Sequence, residues 1–221
     1  MTPASGSARS DEAPRPAPGR PKDLNKRAAI LEAAKRLFLR HGVDGVSMDQ
    51  IAGEAGVSKL TVYSHYGDKE SLFVAAVRAH CDQQLPDALF DASPETPLPD
   101  RLLVIARAFF GMVSTPEAIA GHRIMCAPQV TESALPQMFW DAGPRRIQES
   151  FAGLLQRRQA LGQLDVPDPE RAASQFFNLV KGDAHALLVF GCGACAAPES
   201  VEAHLQASVD MFLRAYAPRP S

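Results

Sequence analysis

Apolar residues recur every three to four positions along most of this chain, which is the period of amphipathic α-helices. In one short segment, Met48, Ile51, Ala52 and Ala55 fall at i, i+3, i+4 and i+7 and form a single apolar face. We find no stretch with the period-two alternation of a half-buried strand. The pattern therefore predicts an all-α protein.

Two of these helices are short and follow each other across a tight turn. Ser47 and Ser58 precede them as N-caps. Gly56 lies between the two helices, where a residue in the left-handed conformation ends the first one, and glycine adopts that conformation without strain because it has no Cβ. The second helix, KLTVYSHY, carries hydroxyls, rings and a cation on only about two turns. A polar surface helix would explain Lys59 or His65 taken singly, but donors near the start of a short helix suit the major groove. The unit is interpreted as a DNA-binding helix-turn-helix.

Further helices are predicted on both sides of this unit. Asp23 caps a helix from Leu24 to His41, and a longer one runs from Lys69 to Leu85, where Pro86 ends it. The proline-rich segment from Phe90 to Asp100 is interpreted as a connector. Six further helices are predicted. The first contains Leu102, the second starts at Pro116, and a short third contains Met138. The fourth starts at Pro144 and ends before Gly162, the fifth follows Asp168, and the sixth runs from Pro198 to near Pro218.

Charge divides the chain unevenly. The first 40 residues hold nine Lys and Arg against four Asp and Glu, whereas twelve basic residues face sixteen acidic ones from Ser71 onward. This asymmetry favours nucleic acid at one end only. We predict a disordered basic arm over 1–21, a helix-turn-helix domain over 22–68, and a helical effector-binding and dimerisation domain over 69–218. Arg20 and Lys22 lie in a run that resembles an AT-hook, although this resemblance is short and a solvated tail is the simpler interpretation.

The run from Ile30 to Phe73 resembles the DNA-binding domain of the TetR transcriptional regulators. It combines an amphipathic first helix, the bihelical unit, an aromatic pair and a Lys-Glu after an Asp cap. Leu60 is larger than the residue often found at its position in that family. The resemblance implies contacts with the DNA backbone by Ser47, Tyr63, Tyr66 and Lys69, and groove contacts by Lys59, Leu60, Thr61 and His65, with Ser58 at the start of the recognition helix.

The last two predicted helices are apolar on more than one face, which indicates a second partner such as another subunit. The TetR resemblance implies a homodimer through these helices. The order RAFFGMV, PQMFWDAGP, QALGQLDVPDPERAASQF also resembles the AefR-like subgroup. The candidate interface residues are Leu187, Phe190, Val201, Leu205, Val209 and Phe212.

A second set of apolar residues is interpreted either as plain core or as the lining of an effector cavity. In the second case the ligand would be a small apolar or aromatic compound, with His122 and His185 as candidate polar anchors. The candidate ligand-binding residues are Phe109, Phe110, Val113, His122, Met125, Phe139, Trp140 and Phe177.

No motif indicates an enzyme, a cofactor or a bound metal. Cys192 and Cys195 form a C-x-x-C, which could be a redox pair, half of a metal site, or two plain thiols in a loop. No run approaches the roughly twenty apolar residues of a membrane span, so we expect a cytoplasmic protein.

The function predicted from the sequence is that of a DNA-binding transcriptional regulator. We expect a repressor that binds a palindromic DNA operator as a dimer and is released by a small hydrophobic effector. The alternatives are an effector-independent, nucleoid-type DNA-binding protein and, with less support, a helical enzyme.

Overall fold

The computed structural model describes residues 23–91, 96–127, 133–192 and 197–218, and in these ranges the chain forms α-helices and one 3-10 helix without any strand. The all-α prediction is confirmed. In order, the helices are α1 Leu24–His41, α2 Met48–Glu54, α3 Lys59–Tyr66, α4 Lys69–Gln84, the 3-10 helix Asp87–Phe90, α5 Leu98–Val113, α6 Pro116–Met125, α7 Leu135–Ala142, α8 Pro144–Ala160, α9 Pro169–Phe190 and α10 Pro198–Ala215. The predicted arm over 1–21 lies outside the described residues.

Side-chain caps fix the start of the N-terminal helices. Ser47 and Gln50 form a reciprocal capping box, in which the Ser47 hydroxyl accepts from the Gln50 N–H at 3.2 Å and the Gln50 side chain accepts from the Ser47 N–H at 2.8 Å. Asp23, Ser58 and Asp68 likewise accept backbone hydrogen bonds at the starts of α1, α3 and α4. These interactions satisfy N–H groups that the helix itself leaves unpaired, so the predicted boundaries hold closely here.

The predicted connector was wrong at both of its ends. The chain forms a 3-10 helix at its start, and α5 already begins at Leu98, so that Pro99 lies in the first turn. Proline is tolerated there because the N–H it lacks would have had no partner within the helix. The middle of the connector, 92–95, lies outside the described residues.

Two clusters of buried residues organise the fold. The first joins α1 to α4 around Ile30, Ile51 and Val62, and the second joins α5, α8, α9 and α10 around stacked rings such as Phe151 and Phe176, 4.5 Å apart. Helix α4 contributes to both clusters, so the domain boundary at residue 68 stays a prediction.

Helix α6 also connects the two halves. Ile124, near its end, packs against the first cluster and faces Gly42 at the end of α1. Arg123 reaches in the other direction and donates to the carbonyls of Leu188 and Val189 at the end of α9, at 2.6 and 2.7 Å. A displacement of α6 would therefore change its contacts with both α1 and the end of α9.

Candidate functional sites

Helix α3 is held by one face and presents the other to solvent. Val62 is fully buried, whereas Leu60 is 78% exposed and Tyr63 42% exposed. Leu60 lies in the first turn, where a recognition helix meets base edges, and an exposed leucine there suits contact with a thymine methyl group. The arrangement gives α3 the form of a recognition helix.

Lys59, the first residue of α3, forms an exposed ion pair with Asp49 of α2, with Nζ and Oδ2 2.8 Å apart. The hydrogen bond that Lys59 donates to this carboxylate raises the pKa of Lys59, so the amine stays charged. Exposed ion pairs contribute little to stability, and DNA could displace Asp49 readily. Thr61, two residues further along α3, shares a 2.8 Å hydrogen bond with the Ser58 hydroxyl.

Tyr66 does not fit the predicted contact with the DNA backbone. Its side chain is buried, its hydroxyl donates to the Arg27 carbonyl at 2.9 Å, and the Arg27 guanidinium lies 4.8 Å above its ring. Burial also raises the pKa of the phenol, which therefore stays neutral. The single hydroxyl proton is thus engaged within the protein, and Tyr66 anchors α3 to α1 instead.

Three other predicted DNA contacts are partly buried or already hydrogen-bonded within the protein. Lys69 donates from Nζ to the carbonyls of Val43 at 2.9 Å and Val46 at 3.3 Å, which leaves one N–H for a phosphate. The Nδ1 atom of His65 is buried and has no hydrogen-bond partner among the described residues. Ser47 is exposed but uses its hydroxyl in the capping box. Their roles on DNA stay predictions, and Arg20 and Lys22 lie outside the described residues.

A cavity of about 300 Å³ lies between the two clusters. Phe110 does not line it: the residue is buried in the second cluster, because neighbours on a helix point about 100° apart and Phe109 takes the side facing the cavity. The other seven predicted residues line it, namely Phe109, Val113, His122, Met125, Phe139, Trp140 and Phe177.

Polar lining residues were missed by the sequence reasoning. They come from α1, α4, α8 and α9, where polar positions in an amphipathic pattern normally face solvent. Their signal in the sequence is indistinguishable from that of a solvated helix face. The set comprises Lys35, His80, Gln148, Asn178, Lys181 and His185, the last of which was noted only as a possible anchor.

The histidines of the cavity favour their neutral forms. Burial lowers the pKa of His80, His122 and His185, and the charge of Lys181 adds to the effect on the last two. The rings of His122 and His185 meet edge to face with centroids 5.6 Å apart. Burial also raises the pKa of the Cys81 thiol to about 11, so this thiol is protonated and unreactive at neutral pH.

We expect acid to destabilise the protein in the range where free histidine titrates. The folded-state pKa values lie below the unfolded value of about 6.5, so stability is full above that pH and falls as the pH drops through the lower folded values. The melting temperature should decrease between pH 7.5 and 5.5. In His185→Phe the decrease should be smaller, whereas His41→Phe, at the exposed end of α1, should match the wild type. An equal decrease in all three would contradict this origin.

The predicted dimer residues separate into two groups. Leu205, Val209 and Phe212 are at most 3% exposed within a single chain, so their assignment to an interface was wrong: they form the face of α10 that packs into the second cluster. Leu187 and Phe190 of α9 are 50% and 76% exposed and remain candidates. Val201 is partly buried, and it lines with Leu187 and Met211 an open groove between α9 and α10.

Helix α9 is kinked beside this groove. Gly182 has φ 50° and ψ −164°, which interrupts the helix, and the His204 ring lies 3.1 Å from the Val180 carbonyl. A Cβ at Gly182 would lie 2.6 Å from that ring, so only glycine fits. Residues on both sides of the kink line the cavity, as Lys181 and His185 do, and residues on both sides also line the groove, as Leu179 and Leu187 do.

The described residues offer no cluster of three or more His, Cys, Asp or Glu side chains that could hold a metal ion. Cys192 is an exposed free thiol, and Cys195, the other half of the C-x-x-C, lies outside the described residues. In the described part of the chain, no single helix is long and apolar enough to cross a membrane. Within that part, only the pair of α5 and α6, which are bent by 70° relative to each other, has that length and apolarity.

Two family models match the chain. The model described as "Bacterial regulatory proteins, tetR family" matches residues 30–76, and the model described as "AefR-like transcriptional repressor, C-terminal domain" matches residues 100–218. The second match alone spans more than half of the chain. The order of the two matches agrees with the helix-turn-helix unit and the larger helical bundle that follows it.

Similar proteins carry related descriptions. The HTH-type transcriptional repressor AcnR of Corynebacterium efficiens is 40% identical over 57 residues, which cover 26% of this chain and only 30% of AcnR. A structure of a TetR-family transcriptional regulator from Mesorhizobium loti has a TM-score of 0.74 at 28% identity and covers 88% of this chain and 98% of that one. The structure of the flavonoid-responsive regulator FrrA has a TM-score of 0.70 at 31% identity, with 90% and 100% covered.

Proposed function

This chain belongs to the TetR family of bacterial regulatory proteins, and we propose that it is a repressor that binds a palindromic operator as a dimer. In this proposal the repressor leaves the operator when a small aromatic effector binds. Members of the family are DNA-binding regulators rather than enzymes. The observation that carries the proposal is the exposed face of α3, with Lys59, Leu60 and Tyr63, on a capped helix-turn-helix unit. The repressor assignment is supported by the description of AcnR and of the AefR-like model.

The effector role is supported by the cavity between the two clusters. Its volume of about 300 Å³ lies at the lower end of the range for small-molecule sites, and most of its lining is apolar. FrrA is described as flavonoid-responsive, which favours an aromatic compound here as well. An effector-independent nucleoid protein would have no use for such a cavity.

The connection between the cavity and the DNA-binding unit supports a switch. Helix α4 begins beside α3 and lines the cavity with Val77 and His80, while α6 lines it with His122 and faces α1 through Ile124. A ligand that displaces either helix would change the spacing of two paired recognition helices. Half-sites lie about 34 to 36 Å apart, so a shift of a few ångströms would misalign one helix with its groove.

Footprinting of the purified protein on the DNA upstream of its own gene tests this proposal. We expect protection of a palindromic site, and loss of that protection with at least one compound from a panel of flavonoids and aromatic acids. Protection that no compound alters would instead favour the nucleoid-type alternative, and a lack of any sequence preference would refute the operator.

Substitutions in α3 should separate base contacts from backbone contacts. Lys59→Ala is expected to relax the preference at one base pair in each half-site by about tenfold, because this lysine leads the recognition helix. Tyr63→Phe should lower the affinity for operator DNA and for scrambled DNA by the same factor, since the lost hydroxyl would contact a phosphate. Asp49→Asn is the control for the ion pair, because it frees Lys59 without removing it. An equal loss on both DNAs for Lys59→Ala would contradict the base contact.

A further inference from the structure

The polar part of the cavity is basic and has no acidic counterpart. No aspartate or glutamate of the described residues lines it, whereas lysine and histidine contribute from four helices. The titratable side chains that face it are Lys35, His80, Cys81, His122, Lys181 and His185.

The two lysines differ in what surrounds them. Lys35 is satisfied by the protein, since its Nζ donates to Glu32 at 3.0 Å and to Gln83 at 2.9 Å. Lys181 is partly buried and makes no hydrogen bond or ion pair within the described part of the chain. Burial lowers its pKa, which means that the fold disfavours its charge. A partly desolvated cation without a partner is unfavourable, and no group among the described residues compensates for it.

Three of the basic groups lie together in the cavity. Lys181 and His185 line it from α9, on either side of the kink at Gly182, and the His122 ring packs on the His185 ring with centroids 5.6 Å apart. The charge of Lys181 lowers the pKa of both histidines. Most of the remaining wall consists of apolar side chains such as Phe109 and Phe139, and its other polar members are Lys35, His80, Gln148 and Asn178. The cavity thus combines a basic cluster around Lys181 with a mostly apolar wall.

We propose that the effector is an amphipathic carboxylic acid, bound as its anion, with the carboxylate against Lys181 and the two histidines and an aromatic body among the phenylalanines. This proposal rests on the proposed function and specifies the effector class. A neutral compound offers the Lys181 amine at most an uncharged acceptor, whereas a carboxylate accepts a hydrogen bond from it and also balances its charge. The volume of about 300 Å³ suits an acid with one or two rings.

Pairs of acids and their amides test the proposal directly. Trp140 is the only tryptophan and lines the cavity, so its fluorescence reports binding. The probes are biphenyl-4-carboxylate and naphthalene-2-carboxylate, each compared with its primary amide at pH 7.5. We expect each acid to bind roughly tenfold or more tightly than its amide, the gain of one charged hydrogen bond.

Substitutions of Lys181 identify the source of this preference. Lys181→Met should bring the acid to within about twofold of the amide and leave the amide unchanged, while Lys181→Arg should keep the preference. Lys26→Met, on the exposed face of α1, is the matched control and should behave as the wild type. The melting temperature of Lys181→Met should not fall below that of the wild type, because the substitution removes a partly desolvated cation.

The possible outcomes separate this proposal from the proposed function. Equal affinity for acid and amide, or no binding of any probe, overturns the carboxylate assignment. Release of the protein from its operator by a neutral compound would then still support the repressor function. A preference for acids that depends on Lys181 supports the assignment. If those acids leave operator affinity unchanged, the binding site stands and the effector role fails.

Discussion

Replacing Leu187 with glutamate is expected to give a folded monomer that binds operator DNA roughly a hundredfold more weakly than the wild type. Leu187 is half exposed on α9 and lines the groove between α9 and α10, beside Met211. In a dimer that pairs these helices, the carboxylate would be buried without a partner, which opposes association. Each recognition helix would then bind its half-site alone. The affinity that comes from linking two recognition helices in one dimer would be lost.

The control for this variant is Leu161→Glu, because Leu161 is 54% exposed and lies outside the groove. It should remain dimeric and bind the operator normally. Leu205→Glu should instead unfold the chain, since that side chain is buried within one subunit. Sedimentation and circular dichroism distinguish the three cases. A Leu187→Glu protein that is still dimeric at micromolar concentration would place the interface elsewhere.

The recognition unit could be predicted closely because its signals are local. A capping serine is followed within three residues by the N–H groups it satisfies, and Gly56, with φ +65°, closes α2 where the sequence indicated. Tyr66 was misjudged because its partner, Arg27, is 39 residues away in the sequence. A tyrosine that anchors a helix and one that contacts a phosphate are alike in sequence.

The dimer surface was the least predictable feature. An α-helix with two apolar faces does not indicate which face packs into its own subunit, and α10 buries Leu205 and Phe212 where the sequence suggested an interface. The kink at Gly182 adds a change of direction that periodicity cannot register. Among the predicted interface residues, the exposed Leu187 and Phe190 could be distinguished from the buried ones only in the packed structure.

The cavity was predicted from its apolar half alone. Seven of the eight proposed residues line it, but α1 and α4 of the N-terminal half form one of its walls. This wall depends on how the two clusters pack together, which no local pattern encodes. It is also the reason that a ligand could act on the DNA-binding unit without a long path through the protein.

Truncation of Ile124 to alanine is expected to separate effector binding from operator release. Ile124 faces Gly42 at the end of α1 and packs against the first cluster, so it transmits any movement of α6 to the DNA-binding unit. In the wild type, the effector found in the footprinting panel should weaken operator binding by about 5- to 150-fold, the usual range of coupling between sites. In Ile124→Ala that factor should approach one while the protein still binds both partners.

Reciprocity gives this prediction an internal check, because the operator must weaken effector binding by the same factor by which the effector weakens operator binding. Both factors should fall together in Ile124→Ala, even if truncation of this cavity-lining side chain alters effector affinity itself. Ile119→Ala is the control: the residue is buried on the same helix but does not line the cavity, and its variant should keep the wild-type factor. Fluorescence of Trp140 gives the effector affinities, and gel-shift titration gives the operator affinities. An undiminished factor in Ile124→Ala would mean that the signal travels through α4, whose Phe73 and Val77 reach both the cavity and the recognition unit, and not through the contact between α6 and α1.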